Sequence, residues 1–307
     1  MRQPTLSVIL PTYNRVDRLR RAIDALLRQA GDPGEYEILV VDNNCSDGTA
    51  DYLAGIDDAR VHVIRERRQG LSHARNAGLS QARGTIVAFT DDDVEVAPDW
   101  VSTIVAALRG HPELDGVGGR VLPAWSGTRP HWLTRAHWAP LALQDHGDCR
   151  RVFDRHNPIG LIGANVAFRA GVFDRIGDFS PDVQRVGDGI GSTEDHELLT
   201  RLYDAGGRML YTPRMLVRAV VQPDRFDRSY HRRWHEGHGR FHALMRSPGM
   251  EAARMSLLGV PSHLLRRAAS DAAAWFVSAL HGDWDGAFNA ELRLRFFSGF
   301  VRTRLAS

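Results

Sequence analysis

The first ninety residues alternate two kinds of segment, and that alternation restricts the fold more than any other feature. Short apolar runs stand at "LSVIL" (6–10), "EILVV" (37–41), "VHVIR" (61–65) and "TIVAF" (85–89). Between them lie "VDRLRRAIDALLRQA" (16–30), a short segment after the turn "DNNCSDG" (42–48), and "SHARNAGLSQA" (72–82), with apolar positions at helical spacing. Runs of four to eight apolar residues read as strands, and strands separated by helices read as βαβ units in a mainly parallel sheet covered on both faces. Such sheets bind ligands at the carboxyl ends of their strands. "PTYNR" (11–15), "DNN" (42–44) and "DDD" (91–93) all fall there.

The triple acid poses a physical problem. Two carboxylates about 5 Å apart repel by roughly 3 kcal/mol at an effective dielectric near 20, so the cluster needs water or a cation to screen it. Asp91 and Asp93 flank Asp92 in a D-x-D spacing, which lets two side chains converge on a hard cation completed by diphosphate oxygens. A phosphatase with a nucleophilic Asp would carry D-x-T after its first strand; here Val94 and Glu95 follow the fourth. Asp42 closes the second strand, either as a turn-forming residue or as an acceptor for a nucleobase or ribose. In "GLSHARNAG" (70–78), Ser72 is placed to cap a helix and Arg75 to present its planar donors to a diphosphate or base. "STEDHELL" (192–199) follows a glycine-rich stretch (186–191). Ser192 or Thr193 would cap this helix, and Glu194 and Asp195 in its first turn suit both the helix dipole and a general base at a cleft. No G-x-G-x-x-G follows the first strand, which removes the nicotinamide fingerprint.

Residues 123–158 lose periodicity, and the last hundred residues read as mainly helical, with "SYHRRWHEGHGRFHALMR" (229–246) and "LLRRAASDAAAWFVSALHG" (264–282) the clearest. The 307 residues hold no uninterrupted apolar run long enough to span a membrane and no signal-like leader, so the expected location is the cytoplasm. Cys45 and Cys149 lack metal or redox spacing and are expected as reduced thiols. Residues 1–206 carry 23 Arg against 29 acids, and residues 207–307 carry 16 Arg against 8. The basic tail, with Trp275, Phe276, Phe296, Phe297 and Phe300, fits either a peripheral contact on the inner membrane face, or a helical lid or dimer interface.

Taken together, "SVILPTYNR", "EILVVDNNCSDGT", "GLSHARNAGLSQARGTIVAFTDDDV", "IGANVAFRAGVFDRIGDF" and "STEDHELLTRLYDAGGRMLYTP" resemble the inverting nucleotide-sugar glycosyltransferases of family two, and within them bacterial enzymes of cell-surface polysaccharide or glycolipid synthesis. The resemblance covers about the first 220 residues. It implies a GT-A fold, α/β and Rossmann-like, over residues 1–222, with a nucleotide-sugar half (1–120) and an acceptor half (121–222), plus a helical C-terminal extension (223–307). It implies that Pro11, Thr12, Tyr13, Arg15, Asp42, Arg75, Asp91, Asp92 and Asn165 line the donor site. Asp93, with Asp91, would hold Mg²⁺ or Mn²⁺, and Asp92 would share that role. Asp195 would take the acceptor proton with Glu194 beside it. The partners implied are a nucleotide-diphosphate sugar and a glycan or lipid-linked acceptor, with no nucleic acid. Many relatives carry a metal-binding histidine where this chain has Ala219; a substitute would come from His231, His235, His238 or His242. The missing histidine also admits a binding protein without turnover. A nucleotidyltransferase would need a glycine-rich phosphate loop after the first strand, which is absent.

Overall fold

The computed structural model describes residues 3–184, 190, 193–246, 251 and 255–306. These divide into two compact units: Met1–Trp125, Ala142–Pro181 and Glu194–Val221 form the first, and Ser126–Leu141, Asp182–Thr193 and Gln222–Ser307 the second. The glycine-rich stretch 186–191, except Ile190, lies outside the described residues, as does Ser192.

The first unit is built on a nine-stranded sheet among the described residues. Its first half is the parallel set read from the sequence: β3 (Val61–Arg65), β2 (Tyr36–Asp42), β1 (Leu6–Thr12) and β4 (Ile86–Phe89), in that spatial order. β1 and β2 are buried along their whole length, which is why they read as continuous apolar runs and not as alternations. The connecting helices are α1 (Val16–Leu27), α2 (Thr49–Ala54) and α3 (Leu71–Leu79). α1 buries Leu19, Ala22, Ile23 and Leu26, one face at i, i+3, i+4 and i+7 spacing.

Beyond β4 the sheet is mixed. β8 (Val166–Arg169) runs antiparallel to β4 and to β6 (Gly116–Trp125), and β6 runs parallel to the long β9 (Met209–Val221). β9 also carries β7 (Arg151–Phe153) at one end and β5 (Val94–Val96) at the other, both antiparallel. The register Val94↔Ala219 brings Ala219 alongside the strand that follows the acidic triplet. The remaining helices of this unit are α4 (Trp100–Gly110), α5 (Gly171–Ile176) and α6 (Glu194–Asp204).

The second unit is mainly helical: α7 (Arg228–Met245), α8 (Ser262–Leu280) and α9 (Trp284–Ala306), with a small hairpin of β10 (Ser256–Leu257) and β11 (Val260–Pro261) before α8. α7 and α9 approach backbone to backbone at Gly239 and Gly299. A Cβ at Gly239 would collide with the Phe296 carbonyl, and one at Gly299 with that of Glu236. The loop segment Ser126–Leu141 belongs to this unit, an arrangement the aperiodic sequence gave no means of foreseeing. Its Trp132 stacks edge-on against His137, His231 and Phe288 at 5.0–5.2 Å.

His231, named above as a substitute metal ligand, is therefore a buried member of an aromatic cluster, its Nε2 donating to the Arg225 carbonyl at 3.1 Å. Burial pushes its imidazole down to about 4, and the same cause acts on His235. An unfolded imidazole titrates near 6.5, so neutral His231 contributes stability above that pH and loses it as the pH falls toward 4. We expect the melting temperature of the wild type to drop through this window and His231→Phe to flatten the drop, as read by calorimetry against pH. An equally steep drop in the variant would assign the acid sensitivity elsewhere.

Candidate active site

The acids converge at the carboxyl ends of β1, β2 and β4, within the first unit. Two guanidinium groups organise them. Arg15 Nη1 lies 3.1 Å from Asp92 Oδ1 and 3.2 Å from Asp93 Oδ2, and Arg18 stands 3.9 Å from the same Asp93 oxygen. Arg75, only 1% exposed, donates through Nη1 to Asp195 Oδ1 at 2.5 Å and to Glu194 Oε1 at 3.4 Å, and through Nη2 to Asp91 Oδ1 at 3.4 Å. Burial works against its charge, but Asp195, Asp91 and Glu194 outweigh it and hold the guanidinium above its ordinary value. The carboxylate repulsion foreseen from sequence is thus offset largely by two arginines.

The three neighbouring aspartates face different surroundings. Asp92 is buried, accepting from the Thr12 hydroxyl at 2.8 Å and from Arg15. Burial pushes its carboxyl up to about 6 against the pull of Arg15. Asp91 and Asp93 keep side chains 26% and 14% exposed. Asp92 thus buttresses the end of β1 while its two neighbours stay partly exposed. Thr12, in register with Asp42, supplies the buttress; Pro11 is buried within β1 and Tyr13 is half-buried just beyond it. Asp42 closes an Asx-type turn, accepting the Cys45 amide at 2.8 Å, with Arg65 at 3.7 Å from its other oxygen.

Asp195 sits at the second residue of α6 and its side chain is 24% exposed. Both of its oxygens are fixed: Oδ1 accepts from Arg75 and Oδ2 from the Gly163 amide at 2.8 Å. Gly163 is required by contact, since a Cβ there would press into both the Asp195 carboxylate and Arg75. This dependence explains "IGAN" before β8; the resemblance implies that Gly163 and Ala164 stand with Asn165 in the wall near the transferred sugar, but not the contact with Asp195.

The structure corrects several expectations. Arg75 is a buried hub of ion pairs, not an open donor contact. Asn165 is fully buried, its Oδ1 accepting from Trp100 Nε1 at 2.7 Å and its Nδ2 donating to the Arg120 and Met215 carbonyls at 2.7 and 2.8 Å. Its amide ties α4, β6 and β9 together and has no group left for a sugar. Ser72 caps nothing: its hydroxyl donates to the Ser180 carbonyl at 2.9 Å, and Gly70 stands at the helix start. Thr193 leaves its hydroxyl without a hydrogen bond.

Asp91 and Asp93 offer oxygen donors only, the set a hard divalent cation prefers. Among the described residues no three His, Cys, Asp or Glu side chains converge as a cage. The pair fits a cation that completes its coordination with oxygens brought by an anionic substrate.

A half-parallel sheet with acids at its strand ends and an anchored carboxylate at the start of a helix fits the GT-A class of glycosyltransferase folds. The chain belongs to glycosyl transferase family 2, whose family model matches residues 7–177. It is 28% identical over 217 residues to a glucosyl-dolichyl phosphate glucuronosyltransferase of Haloferax volcanii, covering 69% of this chain and 68% of that protein. It is 39% identical over 106 residues to a GalNAc(5)-diNAcBac-PP-undecaprenol beta-1,3-glucosyltransferase of Campylobacter jejuni, covering 33% of this chain and 34% of that one. Its fold is similar to a mannosyltransferase from Pyrobaculum calidifontis solved with GDP-Man and Mn²⁺, with a TM-score of 0.65 at 20% identity over 98% of this chain and 87% of that one. Among the described residues no helix is long and apolar enough to cross a membrane.

Proposed function

We propose that the protein transfers a sugar from a nucleoside-diphosphate sugar to a hydroxyl of a glycan or lipid-linked acceptor, by a single displacement with inversion, with Mg²⁺ or Mn²⁺ at Asp91 and Asp93. The anchoring of Asp195 carries the reading. A carboxylate fixed at both oxygens by Arg75 and Gly163, yet partly exposed, is oriented for one task and spends no reorganisation in performing it.

The chain's own groups divide the work. Asp195 accepts the acceptor hydroxyl's proton as that oxygen attacks the anomeric carbon, and Arg75 keeps its carboxylate aimed. Asp42 and the turn that follows it border the pocket for the base. A divalent cation held at Asp91 and Asp93 would supply charge neutralisation for the departing diphosphate. Arg15 and Arg18, close to Asp93, can exchange an aspartate for a phosphate partner. An anchored base of this kind has little use in a protein that only binds glycans.

Product stereochemistry tests the mechanism. Proton NMR of fresh product from an α-linked donor should show the β-anomer. An α-linked product would replace the single displacement with a retaining path.

A further inference from the structure

Ten of the twelve large apolar side chains left exposed among the described residues lie between Leu244 and Leu305, and eight of those lie between Met255 and Trp284. They are concentrated and not scattered, which marks a patch with a use. The patch centres on α8, which leaves most of its large apolar side chains outside. Its buried positions are Leu264 and Asp271, and Asp271 pairs with Arg293 of α9 at 2.5 Å. At about 100° per residue, the opposite face carries Ala269, Ala273, Phe276, Val277 and Leu280, with Arg266 at its N-terminal end. The acid is thus inside and the phenyl ring outside, with Phe276 58% and Leu280 68% exposed. The β10–β11 hairpin at the start of α8 adds Leu257 and Leu258, the latter 73% exposed.

We propose that this outer face of α8 is a docking surface for an anionic lipid membrane, on which the helix lies in the interfacial plane. Charge selects the partner. Residues 222–307 carry 13 Arg against 8 Asp and Glu; Arg266 is exposed at the N-terminal end of the apolar face, and Arg267 is exposed next to it on the flank of α8. A second copy meeting this face across a two-fold axis would bring the same positive excess against itself, whereas anionic headgroups complement it. Phe276, Val277 and Leu280 reach into the headgroup–acyl boundary, and the exposed Trp275 and Trp284 suit the interface. The helix lies on the bilayer without crossing it. The docking surface extends the reading of a lipid-linked acceptor and rests on it for its purpose, because an enzyme held there meets such an acceptor in two dimensions.

Co-sedimentation of the full chain with vesicles of phosphatidylcholine alone, and with roughly one-third phosphatidylglycerol added, tests the surface. The wild type should pellet with the anionic vesicles and be released by salt. Phe276→Ser with Leu280→Ser should lower the bound fraction at least about tenfold, and Arg266→Glu with Arg267→Glu should remove the preference for the anionic vesicles. These side chains are exposed, so an unchanged melting temperature serves as the folding control. No pelleting of a folded wild type, or equal pelleting with both vesicle types, overturns the proposal. So does a dimer in light scattering that the serine pair dissolves, which would assign the face to a second copy. Nucleotide binding by the serine pair separates the two readings: lost vesicle binding with retained nucleotide binding supports the docking surface. A wild type that binds vesicles but no nucleotide would leave the surface standing and remove the transferase mechanism.

Discussion

Asp195→Asn should lower the turnover number by about 10²–10⁴, the range a positioned general base supplies, while nucleotide binding changes little. The substitution removes the proton acceptor, and it does a second thing that the geometry makes specific. Both Asp195 oxygens face donors, Arg75 on one side and the Gly163 amide on the other. An asparagine must turn its own NH₂ toward one of them, so it loses one anchor as well as its charge. Asp195→Glu keeps the charge but moves it by a methylene in a space where Gly163 tolerates no added atom, and it should recover little activity. Steady-state kinetics with a calorimetric nucleotide titration separates loss of chemistry from loss of binding. Near-wild-type turnover in Asp195→Asn would remove this residue from the mechanism.

Arg75→Leu should be the most destabilising single change in the first unit. It leaves Asp91, Glu194 and Asp195 without their shared guanidinium, and Glu194 is buried. Breaking a buried ion pair by removing one partner costs about 3–5 kcal/mol, because the uncompensated charge stays behind. For a chain of this size that corresponds to a fall in melting temperature of roughly 5–8 °C. Arg75→Lys should restore part of it, since an ammonium returns the charge but cannot span three carboxylates with a planar fork. A melting temperature within about 2 °C of wild type in Arg75→Leu would mean that the acids find other neutralisation, and would reopen Arg75 as a donor contact.

The parallel half of the sheet was legible because β1, β2 and β4 are buried on both faces and so appear as uninterrupted apolar runs. The mixed half was not. β9 is thirteen residues long and is shared by three partner strands, and no local periodicity encodes which partner takes which end. The positions of Asp91, Asp93 and Asp195 followed from strand ends and a helix start, two places where backbone geometry dictates what a side chain faces. Arg75 and Asn165 have surroundings that the sequence does not reveal, for one reason. A polar residue beside a crevice reads as a ligand contact, and only the fold shows that Phe179, Glu194 and Asp195 close over Arg75, or that Trp100 and two carbonyls consume the Asn165 amide. His231 failed similarly, since helical spacing gave four aligned histidines but could not reveal that Trp132 arrives from a distant loop.

A diphosphate site organised by Asp91 and Asp93 is tested by calorimetric titration of UDP, GDP and dTDP with and without Mn²⁺, on the wild type and on Asp93→Asn. One nucleotide should bind, need the cation, and bind at least about tenfold more weakly in the variant, a loss of about 1.4 kcal/mol. Metal-independent binding that Asp93→Asn leaves unchanged would contradict it, as would the failure of a folded wild type to bind any nucleotide.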